Sequence, residues 1–126
     1  MLTPNEITGL IVGALDSKNA KDIKLLRTSD ITILADYFVI CTATSSTHLK
    51  TLSDEVEKVL KENGEMPRRR EGRGSGGWVL IDFACVIVHI FLHEAREFYS
   101  LERLWSDAEE VEFGIRNSEF GISGQS

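Results

Sequence analysis

The stretch Asp36-Tyr37-Phe38-Val39-Ile40-Cys41-Thr42-Ala43 is almost continuously apolar, β-branched and aromatic, and its reading decides the fold. An alternating strand would show one wet face. A run without alternation is what a central strand covered on both faces requires. Layers must therefore exist above and below it, and the flanking sequence supplies helices for the task.

Immediately downstream, Thr44-Ser45-Ser46-Thr47 offers side chains that cap a helix. Leu49, Leu52, Val56, Val59 and Leu60 then repeat at helical spacing until Asn63-Gly64 stops the run. Upstream, Ile23 to Arg27 is a short strand candidate after the polar break Ser17 to Asp22. Before that break lies another helix. Thr3 is its cap, Pro4 fits the first helical position, and Glu6 completes a Thr-x-x-Glu capping box. Ile7, Leu10, Ile11, Ala14 and Leu15 form its apolar stripe.

Farther along, Met66 to Gly77 changes character, with Arg68-Arg69-Arg70 followed by Gly72, Gly74, Gly76 and Gly77. This segment reads as an exposed, mobile connection that offers an edge strand at its start. Two strands, about Gly77–Phe83 and Val86–Leu92, follow with a tight join at Ala84-Cys85. A last helix or pair of turns is expected from Glu94 to Trp105. The expected architecture is thus a single α/β domain: one mixed β-sheet flanked by helices, over residues 1–107. Residues 108–126, acidic and then Gly/Ser-rich, read as a tail.

The whole chain has 126 residues, with 14 Lys+Arg against 20 Asp+Glu, a net charge of −6. This length suits one domain with a core that needs no disulfide or metal. The acidic balance excludes a generic nucleic-acid coat, which must displace counterions with a basic surface. It leaves a basic protein partner open. From Glu94 onward the chain carries 3 basic and 8 acidic residues, so most of the excess lies there. Cys41 and Cys85 sit in apolar runs and form no disulfide framework. No signal peptide is visible, and the longest apolar stretch, Trp78 to Leu92, is interrupted by Asp82 and His89. A soluble, cytoplasmic protein is expected.

Candidate chemistry is sparse. His89 and His93 stand four apart with Glu94 beside them, but on a strand such residues lie about 13 Å apart and cannot share a zinc ion. Structural or surface histidines are the better reading, and no metal or cofactor is expected. No nucleophile elbow, P-loop or GxGxxG before a helix occurs. Arg68, Arg69, Arg70 and Arg73 form the one basic patch, but Glu65 and Glu71 flank it and no aromatics interleave for base stacking. A solvated loop is favoured over RNA contact.

The aromatic band says more. On the strand from Trp78, side chains alternate, so Trp78, Leu80 and Asp82 share one face while Val79, Ile81 and Phe83 share the other. If helices cover the second set, Trp78 and Leu80 belong to an open face that marks an interaction site. Phe98, Tyr99, Leu101 and Trp105 place further large side chains nearby in sequence. Ordinary core packing for all of them is the equally open alternative.

The segments from Ala35 to Ser45, Gly77 to Phe83, Val88 to Phe91 and Glu94 to Trp105 together resemble the ribosomal silencing factor family, also called Iojap-like. The resemblance spans about residues 5 to 107. It implies a nucleotidyltransferase-like topology and a homodimer. It also implies binding to the large ribosomal subunit through ribosomal protein fourteen, which blocks joining of the small subunit and represses translation when nutrients are scarce. No catalysis attaches to that role. The sequence agrees in one respect: Asp36 is followed by Tyr37 and Phe38, so the paired carboxylates a metal-dependent transferase needs are missing. Under this resemblance the partner-binding candidates are Trp78, Leu80, Phe98, Tyr99, Leu101 and Trp105. Glu94, Glu97 and Glu102 are candidate contacts for a basic ribosomal protein. A nucleotidyltransferase-like enzyme and an RNA-binding ribosome-assembly factor are the alternatives. One departure is Ala84-Cys85, where the family usually carries Gly-Asp; loss of the glycine suggests a turn without positive φ.

Overall fold

A parallel pair of strands cannot be joined by a tight turn, so the chain must cross over between them, and the crossover builds this fold. A computed structural model describes residues 2–28, 35–73, 77–93, 95 and 109–110. Helix α1 (Pro4–Ser17) leads into strands β1 (Lys21–Arg27) and β2 (Tyr37–Ala43). Helix α2 (Ser46–Glu62) follows, then β3 (Arg69–Arg73), β4 (Trp78–Asp82), β5 (Val86–Leu92) and the two-residue β6 (Glu109–Glu110). The sheet order is β3-β4-β5-β2-β1-β6. Only β2 and β5 run parallel; every other neighbouring pair is antiparallel.

The helix signals work as their chemistry requires. Thr3 Oγ1 accepts the Glu6 N–H at 3.1 Å, and Glu6 Oε1 accepts the Thr3 N–H at 2.9 Å. The two bonds satisfy orphan donors of the first turn of α1. Ser45 caps α2 by accepting the His48 N–H at 3.1 Å. The His48 ring adds a tie that the sequence does not announce. Its Nδ1 lies 2.9 Å from the Thr44 amide and accepts that N–H, which leaves Nε2 to donate to the Lys18 carbonyl at 2.7 Å. The start of α2 is thereby tied to the end of α1.

Both helices pack on one face of the sheet. Ile7, Ile11 and Leu15 of α1 and Leu49, Leu52, Val56 and Leu60 of α2 join Val39, Cys41, Val79, Ile81, Val88 and Ile90 in one buried cluster. The opposite sheet face carries a second cluster of Leu26, Phe38, Ile40, Ile87 and Phe91, with Trp78, Leu80 and Ala95 partly buried against it. The strand at Tyr37–Ala43 is therefore apolar on both sides for the reason read from its composition.

Three expectations meet corrections or limits. The favoured solvated loop gives way to the edge strand that the segment also offered: from Arg69 the run forms β3, paired with β4 from Arg69↔Asp82 to Arg73↔Trp78. The expected last helix lies outside the described residues except for Ala95. Of the segment read as a tail, Glu109 and Glu110 pair with Arg27 and Leu26 on β1.

The β4–β5 join corrects the expectation about its turn. Ala84 adopts φ +74°, and the Cys85 N–H donates to the Phe83 carbonyl at 3.0 Å, closing a three-residue turn. The paired strands on either side impose the positive φ, and alanine bears the strain. At the other end of β4, Gly72 (φ +91°) faces Trp78 so closely that a Cβ would run into the Trp78 carbonyl oxygen. Ala84→Gly is expected to raise stability by about 0.5–1 kcal/mol, the strain relieved less the added chain entropy. Gly72→Ala should lower it by about 2 kcal/mol or more, since backbone must move. Urea denaturation of the two variants checks both signs.

Candidate docking face

Register places the side chains of the second sheet face in rows. Starting from the edge, Arg69 and Glu71 of β3 lie across from Asp82 and Leu80 of β4. Asp82, Leu80 and Trp78 lie across from Ile87, His89 and Phe91 of β5. Ile87, His89 and Phe91 lie beside Phe38, Ile40 and Thr42 of β2, and Phe38 and Ile40 beside Leu26 and Lys24 of β1. The middle rows are buried. Trp78 and Leu80 are only half-buried, so they form the margin where apolar surface meets water. Charged β3 residues border them. An apolar margin with a polar rim is the anatomy of a protein interface.

Asp82 fixes that margin. Its carboxylate is buried, yet every oxygen is used: Oδ1 accepts the Ala84 N–H at 2.7 Å, and Oδ2 accepts from Arg68 at 3.0 Å and Arg69 at 3.3 Å. Burial pushes this carboxyl upward, but the Ala84 amide and the two guanidinium groups outweigh it, and the acid is held below the usual carboxylate range. One side chain thus ties the edge strand, the end of β4 and the strained turn together. Sequence reading placed Asp82 on the face of Trp78 but assigned it no task; the arginines fourteen and thirteen residues earlier become its partners only through the β3–β4 register.

The same pairing answers the RNA reading. Arg68 and Arg69 are engaged by Asp82, Arg69 also by Glu71, and Arg70 by Glu57 and Asp54. With Lys50, which also pairs with Asp54, four cations meet four carboxylates. Arg68, Arg69 and Arg70, engaged within their own chain, have little charge left to displace counterions from phosphates.

His89, read from the sequence as a structural or surface histidine, is buried. It sits at the centre of the face, 7 % exposed, with its ring 5.1 Å from that of Phe38 and stacked 6.0 Å from that of Phe91. Among the described residues neither ring nitrogen has a hydrogen-bond partner. Burial pushes its pKa down to about 4, so the imidazole is neutral. His93, just beyond β5, is exposed.

A cleft of about 530 Å³ opens at the carboxyl ends of β2 and β5, where open α/β sheets hold their ligands. Lys21, Asp22, Thr42, Thr44, Ser45, Ser46 and His93 line it with Leu92 and Ala43. Among the described lining residues Asp22 is the one carboxylate. Asp36 stands at the other end of β2, beside Arg27, Asn5 and Tyr37, about 20 Å away by strand length. The residues described here therefore do not assemble a two-carboxylate metal clamp. Cys41 is buried, and burial together with the Asp36 carboxylate pushes the Cys85 thiol up, away from thiolate chemistry.

Of the six sequence-derived binding candidates, the structure places Trp78 and Leu80 together on the margin. Phe98, Tyr99, Leu101 and Trp105 lie outside the described residues.

Comparison with known proteins gives a consistent family. The family model for "Ribosomal silencing factor during starvation" matches residues 2–122. The ribosomal silencing factor of Halalkalibacterium halodurans is 38% identical over 111 residues, which is 88% of this chain and 95% of that protein. The mouse protein named "Mitochondrial assembly of ribosomal large subunit protein 1" is 33% identical over 100 residues, 77% of this chain and 44% of its own length. A crystal structure of a Chromobacterium violaceum protein superposes with a TM-score of 0.81 at 35% identity, covering 90% of this chain and 94% of the other.

The Asp82 cluster sets a pH dependence with a definite sign. Its carboxyl is depressed in the folded state, so its contribution is complete above the ordinary carboxylate pKa and lost as pH falls through the folded value. Asp82→Asn should be less stable than the parent at neutral pH and should lose less stability than the parent below about pH 4. Thermal melts across pH read the convergence of the two curves.

Proposed function

Because the chain belongs to the ribosomal silencing factor family, we propose that it binds the large ribosomal subunit through ribosomal protein fourteen and thereby blocks joining of the small subunit. Translation is then repressed when nutrients are scarce. The protein acts as an obstacle, without catalysis or cofactor, in the cytoplasm, and its free form is a homodimer. The observation that carries this reading is the half-buried pair Trp78 and Leu80 at the margin of a sheet face on which neither α1 nor α2 packs. Tryptophan at such a margin is the residue type that dominates interface energetics. Phe98, Tyr99, Leu101 and Trp105 are proposed to serve the same interface as anchors or as their support.

Several features support the reading. An obstacle needs a rigid surface, and Asp82 supplies rigidity at the edge nearest Trp78. The net charge of −6 favours encounter with a basic ribosomal protein, and Glu94, Glu97 and Glu102 add local acidity in sequence. The mouse relative is named for assembly of the large subunit, which agrees in target. The regulatory character of the family weighs against a transferase, as does the single carboxylate among the described residues of the cleft.

Two measurements test the proposal. In sucrose-gradient sedimentation of mixed subunits, saturating protein should deplete the joined ribosome and leave it bound to the large subunit. Undiminished joining at saturation would refute the mechanism. Trp78→Ala should weaken large-subunit binding by about 2 kcal/mol or more, roughly 30-fold, while circular dichroism shows an intact fold. Unchanged affinity would remove this margin from the site.

A further inference from the structure

A buried polar group without a partner costs stability, and in a native protein it asks for a reason. His89 is such a group, and its position gives the reason. The side chains beside the ring along its strand and directly across from it are apolar, namely Ile87 and Phe91 on β5, Ile40 on β2 and Leu80 on β4, and Phe38 lies against it; Thr42 and Asp82 stand one row away on the diagonals. The helices α1 and α2 lie on the opposite face of the sheet. The charged residues that register places on the face of His89 among the described residues are Lys24 on β1, Asp82 on β4, Arg69, Glu71 and Arg73 on β3, and Glu110 on β6 across from Leu26, three strands from β5. Lys24 has the wrong sign to receive an imidazolium. Asp82 is already shared between the Ala84 amide and two arginines, and Glu71 is paired with Arg69. Among the described residues a proton on His89 would thus be buried with no counter-charge beside it, and the ring would have to reach water.

That movement falls on the docking margin. Leu80 is the direct cross-strand neighbour of His89, and Trp78 is that of Phe91, against which the imidazole stacks. Displacing the ring withdraws the support of both margin residues. Resting on the docking reading above, we propose that His89 is a proton-sensitive latch beneath Leu80 and Trp78. While the imidazole is neutral the face is closed and ready for its partner; acidification opens the β4–β5 side of the face and weakens docking.

The size of the effect follows from linkage. An exposed imidazole titrates near 6.5 and the buried one at about 4, so openings that expose His89 become about 30-fold more populated between about pH 7.5 and pH 5. Hydrogen exchange on the full chain, corrected for intrinsic rates, should show protection at Val79, Ile81, Val88 and Ile90 falling by up to that factor. His89→Leu, or His89→Gln if the leucine variant folds poorly, should remove the change. Affinity for purified large subunits should fall over the same interval for the parent and stay level for either variant. Equal pH dependence of exchange or of affinity in parent and variants overturns the latch. Failure of the parent to bind subunits at about pH 7.5 instead sinks the docking reading, and the exchange series still decides whether His89 opens the face.

Discussion

The parallel pairing of β2 with β5 is the constraint on which the rest of the structure depends. Seven residues of each strand run in register from Tyr37↔Val86 to Ala43↔Leu92. Parallel strands buried in the middle of a sheet need apolar cover on both faces. On one side α1 and α2 supply it, through a cluster that includes Ile11, Leu15, Leu52 and Leu60. On the other side the strands provide Phe38, Ile40, Ile87 and Phe91, which are themselves buried. Burial fades toward β4, where Trp78 and Leu80 are half-exposed. The position of the docking margin is thus a consequence of where the double cover ends.

Much of this was legible in the residues, for identifiable reasons. The capping box at Thr3 and Glu6 and the serine cap of α2 are local signals, and local signals need no tertiary knowledge. The unalternating run at Tyr37–Ala43 announced burial on both faces. Alternation along Trp78–Asp82 correctly separated Val79 and Ile81, which face the helices, from Trp78 and Leu80. What was not legible depends on register or on strain. Arg68 and Arg69 look like free cations until β3 is laid against β4 and Asp82 receives them. Ala84 looks like a residue that would avoid positive φ, yet the hairpin imposes it. His89 reads as one more structural histidine, and only the surrounding phenylalanines show that it is neutral and unpartnered.

Two polar residues on one apolar face serve opposite ends. Asp82 is a buried charge with every oxygen matched, and such a group adds rigidity and orientation to the margin. His89 is a buried base with neither nitrogen matched among the described residues, and such a group stores a liability that only its neutral state can carry. Their strands adjoin, and Ile87, the cross-strand partner of Asp82, lies two residues before His89 on the same face. A surface that must be flat to block a neighbour benefits from the first. The second gives that flatness a dependence on protons.

The central claim is that the face bearing Leu80 and Trp78 meets a protein of the large subunit. A benzophenone amino acid introduced at position 80, irradiated in the presence of purified large subunits, reads the contact directly. A cross-link to ribosomal protein fourteen, identified by mass spectrometry of the joined peptides, is the expected result. Co-sedimentation of the labelled chain with the subunit but with cross-links confined to ribosomal RNA, or with none, would contradict it.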